Sequence, residues 1–160
     1  MNQPVRLPDT LPANFDLDAV QWMRLEGGPE FDYPIDYAYA VASADLAQGR
    51  IEFLVKWAPN AYCHYHRHLG ATAVTILQGE QHVYETRPFE TVHKVRQAGF
   101  TGHLPDGELH MEHGGPDGMI ILFSVHAPDG RLFDLLDKDG NALMTVTIED
   151  AVERRLGKPA

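Results

Sequence analysis

Short apolar runs broken by Pro and Gly recur along the whole chain, and their alternation and β-branched content predict strands rather than helices. Trp22–Leu25 reads as a first short strand, stopped by Glu26-Gly27-Gly28-Pro29. Tyr37–Ala42 follows, then a turn at Gln48-Gly49 and a strong strand over Arg50–Trp57 that Pro59-Asn60 breaks. Ala73–Leu77 is closed by Gln78-Gly79, and His82–Thr86 and Val92–Arg96 continue the series. Met119–Val125 is the most apolar run and is placed in the middle of a sheet. Arg131–Leu136 and Ala142–Val146 form a hairpin over residues 137–141. One helix is predicted, over residues 148–156, where Thr147 and Asp150 have the spacing of a capping box. About ten strands imply an all-β sandwich or barrel. Residues 1–20 are Pro-rich and weakly patterned, an N-terminal arm over a single domain at residues 21–160.

Composition narrows the function. The length of 160 residues suits one domain with a core of its own, at 44% hydrophobic and 22% charged residues. A net charge of −10 gives no basic footprint for nucleic acid. No apolar run approaches a membrane span, and the first residues lack a signal-peptide layout, so no membrane partner and a cytoplasmic location are expected. Cys63 is the sole cysteine, which excludes an intramolecular disulfide and a cysteine-rich zinc site; a small buried role is expected for it.

Histidine is the informative residue. Eight of the nine histidines lie between His64 and His113. His64, His66 and His68 are spaced by two, so on an extended segment they share one face, where two of them grip one ion. A third ligand from a neighbouring strand completes such a site. His110 is the candidate, because Pro105 and Gly107 turn the chain just before it. His113 is the fallback. His82, His93, His103 and His126 have no useful spacing; Glu108 and Glu112 flank His110 at spacing two, where one of them can orient an imidazole, but they read best as solvated loop residues. Tyr62, Tyr65, Tyr84 and Phe123 have the spacing of core aromatics.

These two segments resemble the two cupin motifs. The first, G-x5-H-x-H-x3/4-E-x6-G, is met by Asn60, His66, His68, Thr72 and Gly79. The second, G-x5-P-x-G-x2-H-x3-N, is met by Gly99, Pro105, Gly107, His110 and Gly114. The chain departs at Asn60, at Gly114 and at Thr72, where cupins carry a glutamate ligand. The motifs cover residues 60–114, and the strand pattern extends the likeness over 20–147. The resemblance implies a double-stranded β-helix barrel (a jelly roll) holding a divalent metal on His66, His68 and His110. It also implies a homodimer or higher homo-oligomer.

Without the glutamate, three neutral imidazoles leave a divalent ion its full charge. This favours an anionic chelating ligand, with the Thr72 hydroxyl at hand for a bound oxygen. The donor set alone does not choose between iron, zinc, copper and nickel. Within the cupins, the chain is similar to the acetylacetone-cleaving dioxygenases. The run His66-Arg67-His68-Leu69-Gly70 with Leu77-Gln78-Gly79 is similar to the 2,4′-dihydroxyacetophenone dioxygenases. Both types cleave a C–C bond beside a carbonyl with O2, so the resemblance implies Fe(II), a small carbonyl substrate and O2. The second type carries an extra glutamate ligand, for which Glu85 is the nearest match and Glu80 competes. His64 or Glu85 is the candidate acid–base catalyst for enolisation. Two other expectations stand beside this one: a non-redox isomerase or lyase using Zn(II), Mn(II) or Ni(II), and a zinc-binding sensor module of the type found in certain anti-sigma factors.

Overall fold

A computed structural model describes residues 17–105 and 107–160. Most of the arm expected over residues 1–20 lies outside the described residues. A 3-10 turn at Leu17–Ala19 leads into β1 (Met23–Glu26), β2 (Asp36–Asp45), β3 (Arg50–Trp57), β4 (Tyr65–His68), β5 (Ala71–Thr86) and β6 (Thr91–Gln97). They are followed by β7 (Thr101–Leu104), β8 (Leu109–His126), β9 (Arg131–Leu136), β10 (Ala142–Thr147), α1 (Ile148–Val152) and β11 (Lys158–Pro159). The all-β architecture with one short C-terminal helix is the expected one.

The strands form one curled antiparallel sheet, in the order β10-β9-β4-β8-β3-β2-β1-β11, with β5 along the other edge of β8 and β6 and β7 on β5. The first residues of β8 pair with β4, and residues 119–126 pair with β3. Two wings therefore leave the same edge of β8, β4-β9-β10 and β3-β2-β1-β11. Burying the apolar positions of both wings against each other closes the barrel. Tyr39, Phe53, Val55 and Trp57 from one wing share a core with Leu132, Leu135 and Val146 from the other. Phe53 stacks on Phe123 with ring centres 5.2 Å apart.

Three elements differ from the sequence expectation. Ala73–Leu77 and His82–Thr86 are one strand, because Gln78-Gly79 makes a bulge instead of a turn. Gly79 has φ 79°, and it crosses Gly118 of β8, with φ 75°. A Cβ on Gly79 would lie 2.2 Å from the Gly118 carbonyl oxygen. Likewise β8 runs through Gly114–Gly118 without a break. The capping box forms as predicted, but α1 ends at Val152. Arg154 takes a left-handed φ of 55°, and the tail turns back to pair β11 with β1. The β9–β10 hairpin is as expected, its loop closed on Asp137 Oδ1, which accepts from the Asn141 N–H at 2.8 Å.

Candidate metal centre

Alternation along β4 turns His66 and His68 inward while Arg67 faces solvent. The register sets His66 directly opposite His110 on β8. The turn between β7 and β8 docks on β4 through Gly107 N–H to His68 O at 3.0 Å and His68 N–H to Glu108 O at 3.2 Å. Pro105 and Gly107 thus place His110 as the sequence suggests. His66, His68 and His110 are 7%, 4% and 0% exposed.

Their Nδ1 atoms are each taken by an acceptor. His66 Nδ1–H donates to the His64 carbonyl at 2.8 Å and His110 Nδ1–H to Glu108 Oε1 at 2.7 Å. The Thr72 hydroxyl donates to Gly70 O at 2.9 Å, so it accepts from His68 Nδ1–H at 3.1 Å. All three rings are thereby fixed with the lone pair on Nε2. These lone pairs converge: His66 Nε2 stands 3.2 Å from His68 Nε2, which stands 3.3 Å from His110 Nε2. Three acceptors facing one another need a cation between them. Burial and the neighbouring His110 push His66 down to about 3, and burial pushes His68 well below the usual imidazole range, so neither of these two rings holds a proton on Nε2 at neutral pH. The residues present therefore fit a divalent metal, with ligand atoms within 4.8 Å of one another. Thr72→Val keeps the shape but strips His68 Nδ1–H of its acceptor. It should weaken Zn(II) affinity by roughly tenfold, read by competition with a chelating dye.

The remaining candidates lie at different distances from this group. Thr72 acts behind His68 and not on a bound oxygen, since its hydroxyl is already engaged on both sides. His64 lines the same cavity and bonds the Tyr37 hydroxyl through Nδ1 at 3.0 Å; burial lowers its pKa. Glu85 sits opposite His110 in the sheet, yet it is outside the converging group. Arg87 at 3.0 Å and Lys94 hold its carboxyl below the usual range, against the opposing effect of burial. His113 is also outside the group, stacked on His82 at 4.3 Å with Nδ1 on Gly114 O. Tyr84 stacks on His93 and Tyr62 lies tilted against His113 instead of packing in the core.

Glu112 is not a solvated loop residue but a buried one within β8, and Glu108, in the turn before β8 and half-buried, orients the His110 imidazole. Both share the inward face of His110 at spacing two, Glu108 as the partner of its Nδ1 and Glu112 at 1% exposure. Glu112 Oε1 lies 3.7 Å from His110 Nε2 and accepts from Gln81 Nε2 at 2.6 Å. Burial raises its pKa, while His110, Arg96 and Gln81 pull the other way. The strand period carries this signal, because residues 108, 110 and 112 share a face once the segment is extended.

Beside the imidazoles lies an apolar cavity walled by Tyr37, Phe53, Trp57, Phe123, Phe133 and Leu135, with about 50 Å³ open to the centres of water-sized molecules. Trp57 Nε1–H is buried on the same wall, facing the Cys63 thiol without a well-formed hydrogen bond among the described residues. Cys63 also lines it, and burial raises its thiol well above the usual range, so it is a neutral packing residue.

Solved structures share this architecture. A putative acetylacetone dioxygenase from Methylibium petroleiphilum PM1 superimposes with a TM-score of 0.65 at 15% identity, covering 93% of this chain and 98% of that one. A cupin 2 conserved barrel domain protein from Rhodopseudomonas palustris gives 0.60 at 18% identity over 76% and 81%. The fold is a cupin barrel. An acetylacetone dioxygenase from Acinetobacter johnsonii shares the cupin fold at 0.65 and 12% identity over 96% and 94%. No protein-family model and no curated protein matches the sequence. The three histidines thus sit on the inner face of a cupin barrel, opening on its apolar interior.

Proposed function

We propose that this chain is a non-haem iron(II) dioxygenase that cleaves the C–C bond beside a carbonyl in a β-diketone or hydroxyaryl ketone. The supporting observation is the donor set, three tautomer-fixed Nε2 atoms with no carboxylate among them, opening on a largely apolar cavity. The likeness in fold to proteins described as acetylacetone dioxygenases points the same way. His66, His68 and His110 would hold the metal. When bound there, iron(II) would supply the redox chemistry between O2 and the enolised substrate.

The chain's own residues supply the rest. Phe53, Phe123, Phe133 and Leu135 exclude water and orient an apolar substituent. His64, neutral through burial and paired with the Tyr37 hydroxyl, takes the proton released on enolisation. Glu85, engaged by Lys94 and Arg87, is less suited to that task than His64.

Metal analysis of protein purified without added metal, coupled to O2 uptake on a panel of diketones and hydroxyaryl ketones, tests this. Iron with substrate-dependent O2 consumption is the expected result. Zinc with no O2 uptake on any member would overturn it in favour of a Lewis-acid enzyme or a sensor.

A further inference from the structure

A second apolar chamber lies behind the cavity beside the imidazoles. It too leaves about 50 Å³ open to the centres of water-sized molecules. Tyr37, Phe53, Val55, Phe133 and Leu135 wall both spaces. The far one continues past them to Leu132, Val146, Ala151 and Leu156. Protein interiors are close-packed, with few voids larger than one water, yet this chamber has room for about three to five water-sized bodies. It suits hydrocarbon and not water, because a buried water needs about two to four polar partners. The side-chain polar atoms on its wall are the Tyr37 and Tyr39 hydroxyls, and both are engaged. Tyr39 donates to Leu156 O at 3.3 Å, and Tyr37 meets His64 Nδ1 on the imidazole side at 3.0 Å. The partition between the chambers is made of side chains alone. β3 pairs with β2 and β8, and β9 with β4 and β10, so Phe53 and Val55 face Phe133 and Leu135 with no backbone ladder between them. Parting these side chains breaks no sheet hydrogen bond. Phe133 is half-buried and lies against His66 and His68, with ring centres 6.0 and 6.3 Å away.

We propose that the far chamber is a substrate subsite that takes an unbranched alkyl chain of about three to five carbons, one for each water-sized body it has room for. This inference rests on the reading of the three histidines as a metal centre for carbonyl substrates, and it narrows that class to alkyl-substituted β-diketones. The polar head stays on the imidazole side, and the tail passes the partition into the hydrocarbon-walled space. An alkyl chain bends through such a partition, whereas a rigid fused ring cannot occupy two small chambers at once. Each methylene moved from water onto an apolar wall is worth about fourfold in affinity. Val146, Ala151 and Leu156 close the far end, so α1 and the chain after it limit the length of tail accepted.

The test uses full-length protein loaded with one equivalent of Zn(II), so that binding is read without turnover. Calorimetry compares 2,4-pentanedione, 2,4-heptanedione and 2,4-nonanedione. Affinity should rise along the series, by roughly tenfold or more from first to last. Ala151→Leu, checked for metal content and melting temperature, fills the chamber from α1 and should lower the nonanedione-to-pentanedione affinity ratio by roughly tenfold. Xenon reads the chamber with no substitution, since apolar cavities bind it. Under xenon pressure the methyl resonances of Leu132, Val146 and Leu156 should shift. 2,4-Nonanedione should suppress those shifts, and 2,4-pentanedione should leave them. Equal affinity along the series, xenon shifts that nonanedione leaves in place, or an unchanged ratio in folded Ala151→Leu would each overturn the proposal and leave the metal-centre reading intact. Zn(II)-loaded protein that binds none of the three diketones would overturn both.

Discussion

Replacing His110 with alanine should strip the protein of metal. The ring is fully buried, its Nε2 is one of three converging donors, and Glu108 fixes its orientation. Removing an outer hydrogen-bond partner costs roughly 10–100-fold in metal affinity. Removing the donor itself should exceed that, leaving no ion after gel filtration. The variant also loses packing, at about 2–4 kcal/mol for a large-to-small change in a core. A melting curve alongside the metal assay separates the two effects. His110→Ala that is folded and still holds one equivalent of metal would contradict the assignment. Glu108→Gln should fall between wild type and His110→Ala, because an amide oxygen accepts the same bond without the charge.

The largest effect on folding is expected at Gly79. Its φ of 79° is left-handed, and a side chain there meets backbone on the crossing strand, Gly118 O at 2.2 Å and Met119 Cα at 2.9 Å. Neither can move without pulling β5, which carries Thr72 and Gln81, from β8, which carries His110. Gly140 is the matched control, with φ 85° and nothing near an added Cβ. Gly140→Ala should cost about 1–2 kcal/mol from backbone strain alone. Gly79→Ala should cost several kcal/mol more and lower the melting temperature by roughly 10 °C for a chain of this size. Equal losses at the two positions would show that the strand crossing is not the constraint it is taken to be.

Much of the fold was legible because strand alternation is a local property. Arg50–Trp57 and Arg131–Leu136 have the predicted bounds, since Pro, Gly and Asp turns mark their ends. The long strands were not, because Gly79 and Gly118 read as turn residues singly and act as a bulge only where they cross. The spacing of His66 and His68 and the turn before His110 were enough to bring three imidazoles to one region. What holds those imidazoles was only partly legible: a glutamate flanking His110 at spacing two can orient its ring, as Glu108 does. Thr72 reads as a lost ligand, whereas its hydroxyl bridges His68 to Gly70. Glu112 reads as solvated because flanking Gly and Pro suggest a loop, while β8 runs straight through them. Trp57 and Tyr37 enter the cavity only through the pairing of β2 with β3, which no local pattern shows.

Three Nε2 atoms sharing one cation define the site. Long-range proton–nitrogen NMR of histidine-labelled protein, titrated with Zn(II), reads this atom by atom. Three Nε2 signals should shift together and saturate at one equivalent per chain, with the matching Nδ1 atoms protonated throughout. Fewer than three shifting, or coordination through Nδ1, would contradict it.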